Sequence, residues 1–294
     1  MGEQHTTKNN INWFPGHMAK TRRKITEDLK MVDVVAELTD ARIPQSSRNP
    51  ILRDIVQKKP MILLLNKSDM ADPIQTKKWV EEYKNQGISA IPLDAKNGRG
   101  IPEFYNGIRE LLKEQIAVWE GKGMIGRPLR IMVLGIPNVG KSSLINRLIG
   151  SGRAGKAEVR DKPGVTRQNR WFTVKKGFEL LDTPGVLWPK FEDQEVGRLL
   201  AYTGAIKDEV LDMETLASNF LEYLMKIYPN AINERYKTQI DVQNPPIGYE
   251  ILTEIGRKRG MLISGGEIDT ERAATAVMDE FRGAKLGRIT LEQA

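Results

Sequence analysis

The stretch RIMVLGIPNVGKSSLINRL, residues 130–148, decides the fold. A short apolar run ends at Gly135, and Lys141, Ser142 and an apolar-periodic segment follow it. The pattern predicts a strand, a glycine-bounded loop and the start of a helix, and it matches the phosphate-binding motif G-x-x-x-x-G-K-[ST]. In such a loop the backbone N–H groups, the helix N-terminus and the lysine bind phosphate oxygens, and the serine hydroxyl binds Mg²⁺. The motif alone leaves an ordinary glycine-rich turn as the alternative. The predicted phosphate-binding residues are Asn138, Val139, Gly140, Lys141, Ser142 and Ser143.

Composition indicates a globular protein of one large or two ordinary domains, since 40% of the 294 residues are hydrophobic and 28% are charged. The chain has no cysteine and only two histidines, His5 and His17, which argues against disulfides and against thiolate or zinc sites. No apolar run reaches membrane length and no signal peptide opens the chain, so we expect a cytoplasmic protein.

The positive charge is concentrated in the first two thirds of the chain. Residues 1–204 contain 34 basic and 23 acidic residues, whereas residues 205–294 contain 11 and 15. A basic excess favours a polyanionic partner, and a merely solvated surface is the alternative.

Buried strands alternate with helical patterns in the first part of the sequence. This alternation indicates a parallel, doubly wound sheet, so we predict an α/β fold for residues 1–190, which include a basic N-terminal segment. From residue 195 onward the pattern is helical, and residues 191–294 are predicted to form a separate all-helical domain. The predicted strands are residues 33–39, 61–65 and 88–93, with a hairpin at 171–175 and 178–181. The predicted helices are residues 19–31, 49–57, 74–85 and one long helix at 102–119.

Two polar loops follow the second and third predicted strands. Residues 66–69, NKSD, resemble the N-K-x-D element of GTPases, although a solvated loop would explain this element alone. A buried Asp69 carboxylate can accept from the N1–H and 2-amino donors of guanine, a pair that adenine lacks. Residues 94–96, DAK, resemble the S-A-K element, in which a backbone N–H meets the guanine carbonyl. Asp94 stands where serine is usual, so we assign that role to the Ala95 backbone. The predicted base-binding residues are Asn66, Lys67, Ser68, Asp69, Asp94, Ala95 and Lys96.

Elements that sense the γ-phosphate follow the phosphate loop. Residues 182–185, DTPG, resemble the D-x-x-G element, in which Asp182 holds Mg²⁺ through water and the Gly185 amide senses the γ-phosphate. Thr166 lies in a long polar loop and is the candidate that completes Mg²⁺ coordination with Ser142. Thr173 and Thr183 are alternatives, but they lie in strand and motif contexts. Together these elements indicate a domain that binds GTP or GDP with Mg²⁺.

The order of the elements is permuted, because the base-reading loops precede the phosphate loop. With the opening segment NWFPGHMAK (residues 12–20) and DARIP (residues 40–44), this order resembles the YlqF/YawG family of circularly permuted ribosome-assembly GTPases over nearly the whole chain. The resemblance implies a permuted P-loop GTPase fold and binding to the immature large (50S) ribosomal subunit and its rRNA. It also implies release after GTP hydrolysis, and we expect a monomer. A nucleotide-gated RNA-binding scaffold and a GTPase of translation or RNA modification are the alternatives.

The glutamine that orients water in many GTPases is missing, since Val186 and Leu187 follow the D-x-x-G element. The family resemblance assigns a catalytic histidine to the Pro-Gly-His segment, which makes His17 the catalytic candidate. A neutral imidazole suits the orientation of water. A structural or RNA-contacting His17 is the alternative, and Gln194, the nearest downstream glutamine, is poorly placed beyond Pro189.

The remaining predictions concern K⁺ and RNA. Asn138 resembles the asparagine of potassium-activated GTPases, which predicts a bound K⁺, and an asparagine that stabilises its own turn is the alternative. Basic side chains are candidates for phosphate contacts that would weaken with salt, although each alone is equally consistent with a solvated face. The RNA-binding candidates are Lys20, Arg22, Arg23 and Lys24, then Arg257, Lys258 and Arg259, and then Arg282, Lys285 and Arg288.

Overall fold

The computed structural model describes residues 15–56, 59–150, 171–175, 177–181 and 193–294, with the backbone alone for 15–21, 51–53 and 175. One mixed sheet organises the first part of the chain, with the strand order β3-β2-β1-β4-β6-β5. All neighbours are parallel except β5 and β6, which form the predicted antiparallel hairpin. The α/β fold is therefore confirmed. The strands are β1 (Val34–Asp40), β2 (Met61–Asn66), β3 (Ser89–Pro92), β4 (Leu129–Gly135), β5 (Trp171–Lys175) and β6 (Phe178–Leu181).

The central strands are apolar because helices cover both faces of the sheet. Every residue of β1 is buried, and along β2 alternate side chains enter opposite cores. Ile62 and Leu64 face a core that includes Phe104, whereas Leu63 and Leu65 face a separate cluster. The helices of this part of the chain are α1 (Pro15–Asp28), α2 (Pro50–Val56), α3 (Pro73–Asn85), α4 (Ile101–Leu111), α5 (Lys113–Gly121) and α6 (Lys141–Gly150).

The single helix predicted for residues 102–119 is wrong, because the structure divides it at Leu112 into α4 and α5. The two helices meet different surroundings. α4 buries Phe104, Tyr105 and Ile108 against the sheet, and Leu112 is itself only 1% exposed. α5 has no buried residue, so it continues along the surface after the last core anchor. The sequence pattern indicated helix on both sides but did not indicate the break at Leu112.

The regular elements that the structure describes after residue 193 are helices, as predicted. The helix α8 packs against α10 and α11, and Phe220 lies 4.7 Å from Phe281 between ring centroids. Buried side chains of these helices belong to the same apolar cluster as one face of the sheet. The predicted domain boundary at residue 190 lies outside the described residues. The helices are α7 (Gln194–Tyr202), α8 (Met213–Ile227), α9 (Ala231–Tyr236), α10 (Gly248–Lys258) and α11 (Thr270–Arg282).

Candidate nucleotide-binding site

The phosphate loop joins β4 to α6, as the motif predicts. Residues of β1 and β2 approach its two motif glycines too closely for any side chain there. A Cβ on Gly135 would lie 2.6 Å from the Leu38 carbonyl oxygen, and one on Gly140 would lie 2.3 Å from Asn66 Nδ2. Gly140 also has φ +103°, a conformation that L-residues avoid. Close packing thus fixes the loop at the carboxyl end of the sheet, where parallel sheets bind ligands.

Asn66 holds three loops together at this end of the sheet. Its Nδ2 donates to the Val139 carbonyl of the phosphate loop at 2.7 Å, and its Oδ1 accepts from the Ala95 N–H at 3.0 Å. The side chain is only 3% exposed, so these bonds lie out of water. Asn66 therefore fixes the distance between the phosphate loop and both predicted base loops. This tie is a role that the motif alone did not reveal.

Lys67 forms a second tie between the base and phosphate loops. It adopts a left-handed conformation with φ 59°, and its Nζ lies 2.9 Å from both the Asn138 carbonyl oxygen and Asp40 Oδ2. The left-handed backbone is costly for a lysine, and the two contacts hold it in place.

The Asp40 carboxylate, at the end of β1, binds the two cations Arg42 and Lys67. It accepts from Arg42 Nη2 at 2.8 Å and from Arg42 Nε at 2.9 Å, and both side chains are nearly fully buried. Burial raises the pKa of this carboxyl, but the nearby Arg42 and Lys67 cations outweigh burial and hold its pKa well below the usual range. Asp40 is therefore ionised at neutral pH and fixes both cations.

The two base loops lie side by side. The Ser68 N–H donates to the Leu93 carbonyl at 3.0 Å, which brings the turn that contains Asp69 next to residues 94–96. The Asp94 carboxylate accepts from the backbone and side-chain nitrogens of Asn97 at 2.9 and 2.8 Å, so it shapes its own loop. This supports assigning base contact to the Ala95 backbone rather than to the Asp94 side chain.

A cavity of about 390 Å³ opens between the second base loop and the phosphate-loop helix. Its walls include Ala95, Lys96 and Ser143, and Arg147 donates to the Lys96 carbonyl across its edge. A larger cavity of about 490 Å³ lies at the opposite, amino end of β2, where Met61 forms part of its wall and none of the predicted site residues does. Of these two cavities, the smaller is the one that joins two of the predicted nucleotide-binding elements.

Metal-binding and catalytic predictions fall largely beyond the described part of the chain. Thr166, Asp182 and Gly185 lie outside the described residues, and of His17 only the backbone, in α1, is described. Ser142 is exposed in the first turn of α6, a position open to a metal-bound phosphate. Within the described ranges, no group of three or more acidic or histidine side chains is placed to hold a metal ion.

Asn138 contacts the helical part of the chain, which the sequence did not predict. Its Nδ2 donates to the Gly204 carbonyl at 2.8 Å, and its φ is 57°. The left-handed φ is one that asparagine tolerates in turns, so the turn-stabilising alternative and the K⁺ role both stay predictions. No local pattern could indicate the bond to Gly204, because 66 residues separate its partners.

The three basic clusters have different surroundings. Side chains of Arg22 and Arg23 are exposed, and Arg257 to Arg259 are exposed at the end of α10. In the third cluster Arg282 instead binds the Tyr202 and Ala201 carbonyls and Asp208, and Arg288 binds the Ser68 and Ala71 carbonyls. Internal acceptors bind both guanidinium groups, and the predicted RNA role of these two arginines stays a prediction. The side chain of Lys20 lies outside the described residues, and Lys24 is partly exposed.

A phosphate loop between strand and helix, preceded in the chain by two guanine-type loops, defines a circularly permuted P-loop GTPase. The family model described as "50S ribosome-binding GTPase" matches residues 130–238. Ribosome biogenesis GTPase A of Priestia megaterium is 47% identical over 283 residues, which cover 96% of each chain. The GNP-bound structure of YlqF from T. maritima is 27% identical with a TM-score of 0.60, covering 93% of this chain and 98% of that one. A GDP-bound YlqF structure has the same identity and a TM-score of 0.63, with 92% and 99% covered.

The chain belongs to the ribosome biogenesis GTPase A family, and it is a GTP hydrolase. None of the helices in the described ranges combines the length and apolarity that crossing a bilayer requires.

Proposed function

We propose that this GTPase binds the immature large (50S) ribosomal subunit in the cytoplasm, contacts its rRNA as a monomer, and is released when GTP is hydrolysed to GDP and phosphate. The observation that carries the nucleotide part is the Asn66 tie, which brings the phosphate loop and both base loops to one edge of the sheet. The names of the similar proteins, ribosome biogenesis GTPase A and 50S ribosome-binding GTPase, support the ribosomal part.

Each part of the nucleotide has residues assigned to it in this proposal. The phosphate loop, residues 138–143, holds the phosphates, and Lys141 neutralises their charge. Asp69 accepts from the guanine edge, and the Ala95 backbone N–H is the proposed donor to the guanine carbonyl. In the structure that N–H donates to Asn66 Oδ1, so it would share its hydrogen between this oxygen and the guanine carbonyl.

Ser142, Thr166 and Asp182 would hold Mg²⁺, and Gly185 would sense the γ-phosphate. When bound, Mg²⁺ neutralises the charge that develops on the β- and γ-phosphates. The Asn138 side chain has its Nδ2 engaged with Gly204, which leaves its Oδ1 to face a K⁺ ion. His17 then orients the attacking water.

The exposed arginines and lysine at residues 257–259 are the proposed rRNA contact of the helical part. Arg259 is held by Glu280, 2.9 Å away, whereas Lys258 extends from the same exposed end of α10. Residues 20, 22, 23 and 24 are a second proposed contact. Phosphate contacts of this kind make binding weaken steeply as salt increases.

The experiment for the ribosomal part is GTP turnover in potassium buffer, with and without purified large subunits. Stimulation by large subunits, and not by small subunits, is the expected result. A matched measurement in sodium buffer tests K⁺ dependence. Turnover that neither mature nor precursor large subunits change would contradict the proposed partner.

The experiment for the base assignment uses Asp69→Asn. An amide in place of the carboxylate offers a donor, which favours the 2-carbonyl of xanthine over the 2-amino group of guanine. We expect GTP affinity to fall and affinity for xanthosine triphosphate to rise. Unchanged selectivity between the two nucleotides would show that Asp69 does not read the base.

A further inference from the structure

The last residues of the chain return to the first base-reading loop. Arg288 Nε donates to the Ala71 carbonyl at 2.9 Å, and Arg288 Nη2 donates to the Ser68 carbonyl at 2.8 Å. The Ile289 N–H donates to the Met70 carbonyl at 3.1 Å. Three carbonyls that surround Asp69 in sequence are thus bound by donors from a segment more than 200 residues away. We call residues 288–292 the tail segment.

The tail segment also fixes the end of the same loop. Thr290 Oγ1 accepts from the Asp72 N–H at 3.0 Å, and Thr290 is fully buried. Asp72 in turn caps α3 by accepting from the Ile74 N–H at 2.8 Å. The Tyr228 hydroxyl donates to Asp72 Oδ2 at 3.0 Å, so a residue of the helical part joins this contact. The loop is therefore held at both of its ends.

Further contacts keep the tail segment itself in place. The Leu291 N–H donates to the Arg42 carbonyl at 2.7 Å, and its carbonyl accepts from the Tyr223 hydroxyl at 2.9 Å. The Glu292 carboxylate accepts from the backbone N–H groups of Gln45 and Ser46 at 2.6 and 2.9 Å. Ile289 and Leu291 are buried as well. The segment is thus anchored to the turns after β1 on one side and to α8 on the other.

The base-reading turn closes one hydrogen bond of its own, from the Met70 N–H to the Lys67 carbonyl at 2.9 Å, so the bonds from the tail segment add to those that decide where Asp69 lies. A carboxylate must meet two donors on the guanine edge at once, and recognition of this kind needs side chains held to within about 0.5 Å. We propose that Arg288, with Thr290, is a positioning residue that places the Asp69 carboxylate for guanine. This inference rests on the proposed role of Asp69 in base recognition.

Positioning of this kind has a reciprocal consequence. If docking of the tail segment tightens guanine binding, guanine binding must tighten docking of the tail segment by the same factor. A bound guanine base therefore favours the arrangement in which the tail segment contacts both the base loop and α8. A partner that displaced the tail segment would weaken nucleotide binding through the base rather than through the phosphates.

The test compares dissociation constants for GDP and for inosine diphosphate, which lacks the 2-amino group, in the full chain. With Arg288→Ala we expect GDP affinity to fall about three- to tenfold, as the loss of one or two exposed hydrogen bonds implies. Inosine diphosphate lacks the 2-amino group that Asp69 is proposed to bind, so its affinity should fall less. The ratio of its dissociation constant to that of GDP should therefore shrink about threefold. Arg288→Lys, which reaches one carbonyl only, should give an intermediate ratio.

Two further variants keep the test decisive. Thr290→Val removes the hydroxyl that binds the Asp72 N–H at nearly constant volume and should shrink the same ratio. Arg235→Ala is the matched control, because it removes an arginine that binds Glu280 at 2.8 and 2.9 Å in the helical part without touching the base loop. It should lower the unfolding midpoint and leave the ratio unchanged.

The outcomes separate this inference from the base assignment. A ratio that stays unchanged in Arg288→Ala and Thr290→Val, while Asp69→Asn alters selectivity, would overturn the positioning role alone. Selectivity that Asp69→Asn also leaves unchanged would overturn the base assignment, and the inference with it. An equal change in Arg235→Ala would show that general destabilisation, and not loop position, alters the ratio.

Discussion

Asp40→Asn tests whether the buried carboxylate of Asp40 supports both the fold and the nucleotide site. Asp40 is 2% exposed and binds Arg42 and Lys67 at 2.8 and 2.9 Å. Arg42 is 1% exposed and also lies over the Phe281 ring, 5.1 Å from its centroid. The substitution removes the negative charge that both cations require and leaves Arg42 charged in a buried position.

The size of the effect follows from this burial. Removing one partner of a buried ion pair costs about 3–5 kcal/mol. Asparagine keeps an oxygen that can accept from Arg42 Nε, so we expect a loss near the lower value, about 3 kcal/mol. A folded protein has about 5–15 kcal/mol to lose, so the variant should fold with a lower denaturant midpoint. Because Lys67 also loses its anchor, GDP affinity should fall about three- to tenfold.

Glu37→Gln on the same strand is the matched control. Glu37 Oε2 accepts from Arg48 Nε and Nη2 at 3.1 and 3.0 Å, and both side chains of this pair are about as buried as those of the Asp40 pair. Urea unfolding and titration with fluorescent GDP would be measured for both variants. Both should lose stability, but only Asp40→Asn should lose GDP affinity. Wild-type GDP affinity in Asp40→Asn, or an equal loss in both variants, would refute the reasoning.

The same carboxylate predicts a pH dependence with a defined sign. Burial raises the pKa of this carboxyl in the folded state, but Arg42 and Lys67 lower it further, so the folded pKa lies below the unfolded pKa. The carboxylate therefore stabilises the fold at pH values above the unfolded pKa, and this stabilisation is lost as the pH falls toward the folded pKa. The difference in unfolding free energy between wild type and Asp40→Asn should therefore be constant from about pH 5 to 8 and narrow below about pH 4. Urea midpoints of both proteins at several pH values measure this difference. If the difference already decreases near pH 6, a titrating group other than Asp40 is responsible.

Three further substitutions test the site. Gly140→Ala should lower GDP affinity at least about tenfold in a titration, because the new Cβ would meet Asn66 at 2.3 Å in a strained backbone; unchanged affinity would contradict the tie. Asn138→Ala should reduce turnover in potassium buffer to the sodium rate and loosen the contact with Gly204, whereas a K⁺ response equal to wild type would exclude Asn138 as a ligand. His17→Ala should lower large-subunit-stimulated turnover about 10²- to 10⁴-fold with GTP affinity retained, and equal turnover would exclude the catalytic role.

The sequence predicted the parts of the fold that depend on local pattern. The predicted strand at residues 61–65 is β2 (Met61–Asn66), and the hairpin strands have the predicted bounds. Both base loops and the phosphate loop lie at the carboxyl end of the sheet, because each motif directly follows an apolar run. Apolar runs and glycine positions are local signals, and local signals are what a single sequence contains.

Other features depend on contacts between distant residues and had no local signal. The break at Leu112 separates α4, which has buried side chains, from α5, which has none. The sequence pattern is helical both before and after Leu112. Arg288 stands in a basic cluster that looks like a surface for RNA, yet its acceptors are carbonyls near residue 70. A carbonyl acceptor is common to every residue type, so nothing in the sequence marks the positions that Arg288 binds.

In the permuted chain, these long-range bonds connect the two halves of the sheet to each other and to the helical part. In this chain the base loops belong to the first half of the sheet and the phosphate loop to the second, and Asn66 and Lys67 tie the two. The helical part contacts each half separately, through Gly204 at the phosphate loop and through Arg288 at the base loop. Because the two loops are bonded to each other, a movement of the helical part that keeps one of these contacts and displaces the other must strain the bonds between the loops. We therefore expect the orientation of the helical part and the retention of nucleotide to be coupled, and each 1.4 kcal/mol of such coupling would change nucleotide affinity about tenfold.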